Sequence, residues 1–83
     1  AYNSVRQRTA EALIKLYEKY EGKAEIAISR DDLAHMVGTA TESVIRVLSD
    51  FKDEGVIDIQ SGKILVTSPE KLEQIIRWNF ARD

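Results

Sequence analysis

The sequence predicts an α+β fold that is mainly α: a winged helix-turn-helix with a three-helix core, a β-hairpin wing, an extra short strand and a C-terminal helix. Three observations lead to this prediction. Two successive helical patterns are separated by Gly38, a strand-like period replaces the helical one across "VIDIQSGKILV", and a helical pattern returns in "TSPEKLEQIIRWNF". With 83 residues, 43% of them hydrophobic, the chain is long enough for one core and too short for two. We therefore expect a single domain over 1–83.

The first predicted element is an amphipathic helix over about 4–20. Its apolar residues recur at three- and four-residue steps, Asn3 or Ser4 is available as a cap, and Gly22 is expected to close it. The basic residues of this helix are interpreted as its solvated face: Arg6, Arg8, Lys15 and Lys19.

A short strand and a second helix come next. Ile26 and Ile28 alternate with less apolar neighbours, which is typical of a strand. Ser29 then has the side chain of a helix cap, and two aspartates follow where the helix dipole favours negative charge. The predicted helix spans about 30–37 and stops at Gly38.

The third helix is predicted over about 40–54. "TATE" has the form of a capping box, in which Thr39 accepts from the helix and Glu42 reaches back, although Thr41 is an alternative cap. Gly55 ends the helix. Its apolar positions keep helical spacing: Val44, Val47, Leu48 and Phe51.

The wing is predicted over about 56–67 as a β-hairpin. Its two strand-like runs are joined through Ser61 and Gly62, and a two-residue turn needs residues that tolerate positive φ. A last helix is predicted over about 69–80, with the only proline of the chain, Pro69, near its first position.

The second and third helices have the features that a helix-turn-helix requires. Ala34 is small enough for a close helix crossing, Gly38 interrupts the helix at the turn, and Val44 and Val47 face back into the core. Met36 is expected to complete the packing. The alternative is an ordinary helical hairpin in which the small residues have no special role.

The front of the third helix carries a charged pair one helical turn apart. If the apolar positions face inward, an outer face is left to Thr41, Glu42, Ile45, Arg46 and Ser49. Arginine can donate two hydrogen bonds to guanine O6 and N7, and glutamate can accept from a cytosine amino group. Glu42 and Arg46 therefore have the chemistry to read adjacent G·C pairs. The alternative is a surface salt bridge within the helix, which is worth only about 0.2–0.5 kcal/mol.

Composition excludes several functions. The chain has no cysteine and one histidine, so a thiolate or imidazole metal site is not expected, and we expect no cofactor in this domain. No apolar run is long enough to cross a bilayer, which favours a soluble, cytoplasmic protein without a membrane partner. No nucleophile has a base placed beside it, so we expect no enzyme activity. Trp78 and Phe80 are interpreted as packing residues of the last helix, or alternatively as a docking surface for another domain.

The stretch "ISRDDLAHMVGTATESVIRVLSDFKDEGVIDIQSGKILV" resembles the C-terminal DNA-binding domain of the Crp/Fnr family of bacterial transcription regulators, whose type member is the cyclic-AMP receptor protein. "DLAHMVG", the Glu42 and Arg46 pair, and "FKDEGVI" carry most of this resemblance, and "RTAEAL" resembles the family's preceding helix.

The resemblance implies sequence-specific binding of double-stranded DNA for transcription regulation, with a half-site core of the G·A type. It implies base-reading roles for Glu42, Arg46, Ile45 and Thr41, and phosphate-binding roles for Ser29, Arg30, Thr39, Ser43 and Lys63. Two positions depart from the family pattern. Ile45 replaces a small residue among the base contacts, and Ala40 replaces a hydroxyl residue just before the recognition helix.

The resemblance also implies partners. The family binds inverted-repeat operators as homodimers, RNA polymerase is a further partner, and an N-terminal sensor domain receives an effector that this sequence does not identify. We expect the sensor and dimerisation regions to be absent from this chain. The alternative function is a winged helix that binds another protein and no specific DNA, which the net charge of −2 would suit.

Overall fold

The computed structural model describes residues 2–21 and 25–82, and the side chains of residues 4–21 and 25–77. The predicted order of elements is confirmed. The elements are α1 (Tyr2–Lys19), β1 (Glu25–Ile26), α2 (Arg30–Val37), α3 (Thr41–Asp53), β2 (Ile57–Gln60), β3 (Lys63–Val66) and α4 (Pro69–Arg82). Gly22, the predicted end of the first helix, lies outside the described residues, and so do the side chains of Trp78 and Phe80.

One hydrophobic core lies between the helices and the sheet. Every helix with described side chains contributes to it, and α1 packs against α2, α3 and α4. Burial of this apolar surface is the main force that holds the fold together. The largest fully buried hydrophobic side chains are Phe51, Leu13, Ile26, Leu33, Leu48, Ile57, Ile64, Leu72, Val44, Val47 and Val56.

Helix α2 has both of its predicted ends. Ser29 is its N-cap, and its hydroxyl accepts a hydrogen bond of 3.0 Å from the Asp32 backbone N–H. Gly38 ends the helix in the left-handed region, with φ 81° and ψ 38°, and its N–H donates to the Ala34 carbonyl. A glycine suits this position because a side chain would be strained at such a positive φ. The small Ala34 is buried, as predicted for a close helix crossing.

The predicted capping box at the start of α3 is wrong. The N-cap residue is Ala40, in extended conformation, and no side chain makes a capping hydrogen bond there. Neither Thr39 nor Thr41 therefore caps the helix. The hydroxyl of Thr41 instead donates to Asp31 Oδ1 at 2.8 Å, because Thr41 lies already within the helix and faces the first turn of α2.

The three strands form one antiparallel sheet in the order β1-β3-β2. Gln60 pairs with Lys63 across the two-residue turn, where Ser61 and Gly62 have φ values of 52° and 77°. Two consecutive positive φ values match the right-handed twist of the flanking strands. The turn thus confirms the predicted hairpin and fixes the register of the wing.

One prediction about an individual side chain is wrong, and another is incomplete. Met36 is 49% exposed and does not complete the core, because it lies on the outer side of α2. Arg8 is more than a solvated cation, since its guanidinium donates to the Val37 carbonyl at 3.2 Å and so joins α1 to the C-terminal end of α2. Such a donor satisfies a helix-end carbonyl that has no partner within the helix.

Candidate nucleic-acid interface

Helix α3 has a buried and an exposed side, as its spacing predicts. Val44, Val47, Leu48 and Phe51 are at most 1% exposed. The outer side holds Glu42, Ile45, Arg46 and Ser49, all exposed. Ile45 is 49% exposed, so its apolar side chain is accessible to a partner surface.

Glu42 and Arg46 lie together on that outer side, toward the N-terminal end of α3. The alternative interpretation of the two residues, a salt bridge within the helix, stays a prediction. The Glu42 carboxylate also lies in the first turn, where the helix dipole favours its negative charge.

The turn between α2 and α3 brings more hydroxyl groups to the same end. Thr41 and Ser43 are half-buried in the first turn of α3, and Thr39 is half-buried just before it. Because the N-cap is Ala40, no side chain occupies the donors of this helix end through a capping bond. Backbone N–H groups at a helix start, together with nearby hydroxyls, are the usual ligands of a phosphate group.

The tip of the wing lies beside the start of α2. Arg30, the first residue of α2, donates from Nη1 to the carbonyl of Gly62 at 3.3 Å. The Lys63 ammonium lies 3.4 Å from Glu25 Oε1 on β1, and both side chains are about half exposed, at 49% and 56%. Arg30 and Lys63 thus lie at one corner of the molecule. Ser29 is at this corner too, although its hydroxyl already accepts the capping hydrogen bond.

The opposite end of α3 is anchored to α1. The Arg6 guanidinium donates two hydrogen bonds to the Glu54 carboxylate, at 2.9 and 3.1 Å, and lies 5.1 Å from the centre of the buried Phe51 ring. The interpretation of Arg6 as a solvated cation is therefore wrong. Its long side chain spans from α1 to the end of α3, a contact between residues 48 positions apart.

Sequence reasoning missed three of these side-chain pairs. They are Arg6 with Glu54, Asp31 with Thr41, and Glu25 with Lys63. The pair of Arg6 with Glu54 has no local signal in the sequence. The other two follow once the tertiary arrangement is known, because β1 pairs with β3 and the helix-turn-helix brings the first turns of α2 and α3 together.

Two other kinds of site find no support. Among residues 2–21 and 25–82, no group of three or more histidine, cysteine or acidic residues is arranged to hold a metal ion. Over the same part of the chain, none of the helices has the length and apolar character that a membrane span requires.

Fold and surface together define a class of protein. A tight turn between α2 and α3, an exposed polar side on α3, and a hairpin wing with Lys63 at its tip are the features of a winged helix-turn-helix of the kind that docks on nucleic acid.

Comparison with known proteins gives the family. A model described as the Crp-like helix-turn-helix domain matches residues 7–75, and the chain belongs to this family as a winged-helix DNA-binding domain of the Crp/Fnr type. The chain is 35% identical over 75 residues to the cyclic AMP receptor protein of Thermus thermophilus, covering 90% of this chain and 34% of that protein. It is 31% identical over 80 residues to the transcriptional regulator SdrP of the same organism, covering 90% of this chain and 40% of that protein.

Solved structures give the same result. The crystal structure of the catabolite activator protein of Thermus thermophilus has a TM-score of 0.81 and 34% identity, covering 90% of this chain and 35% of that one. A putative regulator of the crp/fnr family from Eubacterium rectale has a TM-score of 0.76 and 28% identity, covering 87% of this chain and 33% of that one. The chain thus spans between 33% and 40% of the length of these relatives.

Proposed function

We propose that this domain binds double-stranded DNA in a sequence-specific manner and regulates transcription, with α3 in the major groove. The observation that carries the proposal is the exposed outer side of α3, where Glu42 and Arg46 are presented by a helix whose other side is fully buried. A rigid helix with polar side chains toward its N-terminal end is the element that such domains insert into the groove.

The reading of bases is assigned to the outer side of α3. Arg46 donates to guanine O6 and N7, and Glu42 accepts from a cytosine amino group, so the two side chains have the chemistry to read adjacent G·C pairs. The half-site core of the G·A type is proposed from the resemblance to the Crp/Fnr family. Ile45 lies between them in sequence and supplies an apolar contact for a thymine methyl group. Thr41 contributes at the same end, within the limits set by its hydrogen bond to Asp31.

Binding of the DNA phosphate backbone is assigned to side chains that flank α3. Arg30 and Lys63 supply positive charge at the wing tip, and the hydroxyls of Ser29, Thr39 and Ser43 lie at the starts of α2 and α3. Contacts of this kind set orientation and affinity, and carry no base sequence directly.

The whole protein is proposed to act as a homodimer on an inverted repeat. One domain with one recognition helix covers one half-site, and two half-sites one helical turn apart are read together in this class. RNA polymerase is the further partner that transcription regulation would require. A single domain is expected to bind its half-site weakly.

The test is a titration of the domain, at low salt, onto a labelled duplex that holds a TGA-containing inverted repeat, followed by fluorescence anisotropy. A matched duplex in which those guanines are replaced reports on specificity. Arg46→Ala is expected to weaken binding to the first duplex by about 1–3 kcal/mol and to remove the preference between the two, because it deletes the donor to guanine.

Lys63→Ala is the control, since loss of a phosphate contact weakens both duplexes alike and lowers the salt slope by about one. Equal, salt-sensitive binding of the unmodified domain to both duplexes would contradict the G·A half-site. Absence of binding to either would favour the alternative function, a protein-interaction module. The acidic residues at the far end of α3 and on β2 would then be candidates for its contact surface: Asp50, Asp53, Glu54 and Asp58.

A further inference from the structure

The basic tip of the wing is neutralised by a residue of the domain itself. Glu25 Oε1 lies 3.4 Å from the Lys63 ammonium, across the pairing of β1 with β3. The acid belongs to a strand of only two residues, Glu25 and Ile26, whose isoleucine is fully buried. Since neighbouring side chains of a strand point to opposite faces, burial of Ile26 holds Glu25 on the outer face.

The wing tip is also held in place on its other side. Arg30 donates to the carbonyl of Gly62, the residue just before Lys63, and so ties the turn of the hairpin to the start of α2. The hairpin turn itself has two residues and a fixed register. Lys63 is therefore kept within reach of Glu25.

We propose that Glu25 limits the affinity of this domain for DNA, because its carboxylate holds the Lys63 ammonium that would otherwise be available to a phosphate. This inference rests on the proposed function. When the wing meets a DNA backbone, Lys63 exchanges one anionic partner for another, and the carboxylate left beside it repels the phosphate. Both effects are independent of base sequence, so Glu25 lowers affinity for all duplexes alike.

An exposed ion pair of this kind is weak in itself, and both side chains are about half exposed. The pair therefore need not stabilise the fold in order to act on binding. The effect of the pair on DNA binding arises from the position of the Glu25 carboxylate. Its negative charge lies within the Debye length, about 10 Å at 0.1 M salt, of any phosphate that Lys63 contacts. The effect should be large at low salt and small at high salt.

The experiment compares four forms of the domain on the two duplexes described above: the unmodified domain, Glu25→Gln, Lys63→Gln and the double variant. At low salt Glu25→Gln is expected to raise affinity for both duplexes about threefold to tenfold, and this gain is expected to shrink as the salt concentration rises. In the Lys63→Gln background the same substitution is expected to have almost no effect.

Glu70→Gln is the matched control. It makes the same change in net charge at an exposed position in the first turn of α4. That turn follows the C-terminal end of β3, whereas the wing tip precedes the N-terminal end of β3. Its effect on affinity should be close to none. Thermal unfolding of every variant checks that the fold is unchanged, which the exposure of these side chains leads us to expect.

Three results would overturn the inference. If Glu25→Gln leaves affinity unchanged or lowers it while Lys63→Gln weakens binding, the carboxylate does not restrain Lys63, and the proposed function stands without the inference. If the gain persists in the Lys63→Gln background, or Glu70→Gln gives an equal gain, net charge explains the effect and the pairing does not. If no form binds either duplex, the inference fails together with the proposed function.

Discussion

The two ends of helix α3 are built differently. At the C-terminal end, Arg6 from α1 donates two hydrogen bonds to Glu54 and lies over the buried Phe51 ring. At the N-terminal end the cap residue is Ala40, which makes no side-chain hydrogen bond, and the neighbouring charged side chains are exposed. The C-terminal end is held by contacts from α1. The N-terminal end is tied to α2 by the hydrogen bond from Thr41 to Asp31, while Glu42 and Arg46 remain exposed to a partner.

The largest effect is expected from breaking the anchored end. Phe51→Ala removes a fully buried aromatic side chain and should lower the free energy of unfolding by about 3–5 kcal/mol. Urea denaturation followed by circular dichroism measures the change. Ile45→Ala, six residues earlier on the exposed side of the same helix, is the control and should shift stability by no more than about 0.5 kcal/mol. Similar losses in the two variants would contradict the division of α3 into a buried and an exposed side.

One substitution can add a side-chain N-cap to helix α3. Ala40 has φ −71° and ψ 148°, the extended conformation of an N-cap residue, so a serine there can accept from the first turn. Ala40→Ser should therefore raise the free energy of unfolding by about 1 kcal/mol. The same denaturation experiment measures it, with Ala40→Val as a control that adds bulk without a hydrogen-bond acceptor. An equal change in both variants would show that capping is not the cause.

The ion pair at the anchored end should have a smaller effect. Arg6 and Glu54 have side chains that are 21% and 44% exposed, so solvent weakens their attraction. A double-mutant cycle of Arg6→Met and Glu54→Gln should give a coupling energy of about 0.2–1 kcal/mol, with Arg6→Met losing more through its contact with Phe51.

The matched comparison for that cycle is the pair of Arg77 with Glu73 on α4, which is longer at 3.5 Å and more exposed, at 72% and 50%. Its coupling energy should be the smaller of the two. A larger value for the α4 pair would mean that the bidentate geometry of Arg6 adds nothing.

The smallest effect concerns pH. The pKa of Asp58 lies below its ordinary value of 3.8, first because its carboxylate accepts from the Ile59 backbone N–H and second because it accepts from the Gln60 side chain. Since the folded-state pKa is depressed, the ionised carboxylate favours the fold above that ordinary value, and this contribution is lost as the pH falls through the folded-state pKa.

The difference in Tm between the protein and Asp58→Ala should accordingly be constant at neutral pH and narrow below pH 3.8. Thermal unfolding across that range measures it, with Asp53→Ala as an exposed control for loss of a carboxylate. A difference that stays constant at acid pH would mean that the hydrogen bonds do not depend on ionisation.

The parts of the fold that the sequence predicts are those with local causes. Gly38 ends α2 because its backbone needs a positive φ, and Ser61 with Gly62 forms the turn for the same reason. Val44 and Val47 are buried because helical spacing puts them on one side with the other apolar residues. The outer side of α3 follows from the same spacing, since it is formed by the residues left over, whereas the candidate phosphate-binding residues come only from the family resemblance.

The errors have tertiary causes. Met36 is apolar but 49% exposed, in a groove that it lines together with Ala12 and Lys15 of α1, and periodicity within a helix of eight residues does not distinguish such a position from the core. "TATE" has the letters of a capping box, but the helix begins one residue later than that pattern requires, and Thr41 finds a partner in Asp31 instead. Arg6 finds Glu54 only because α1 packs across the end of α3. Contacts between residues far apart in sequence leave no local pattern to read.

The hydrogen bond from the Ile59 N–H to Asp58 has a consequence for self-association. In the order β1-β3-β2, strand β2 has a neighbour on one side only, so part of its backbone is open to pairing with another chain. Such edge strands are templates for aggregation unless they are blocked. Asp58 blocks this one by occupying the Ile59 N–H with its own side chain and by placing a negative charge on the edge. The wing can thus leave its β2 edge without a partner strand and still not join the sheets of neighbouring molecules.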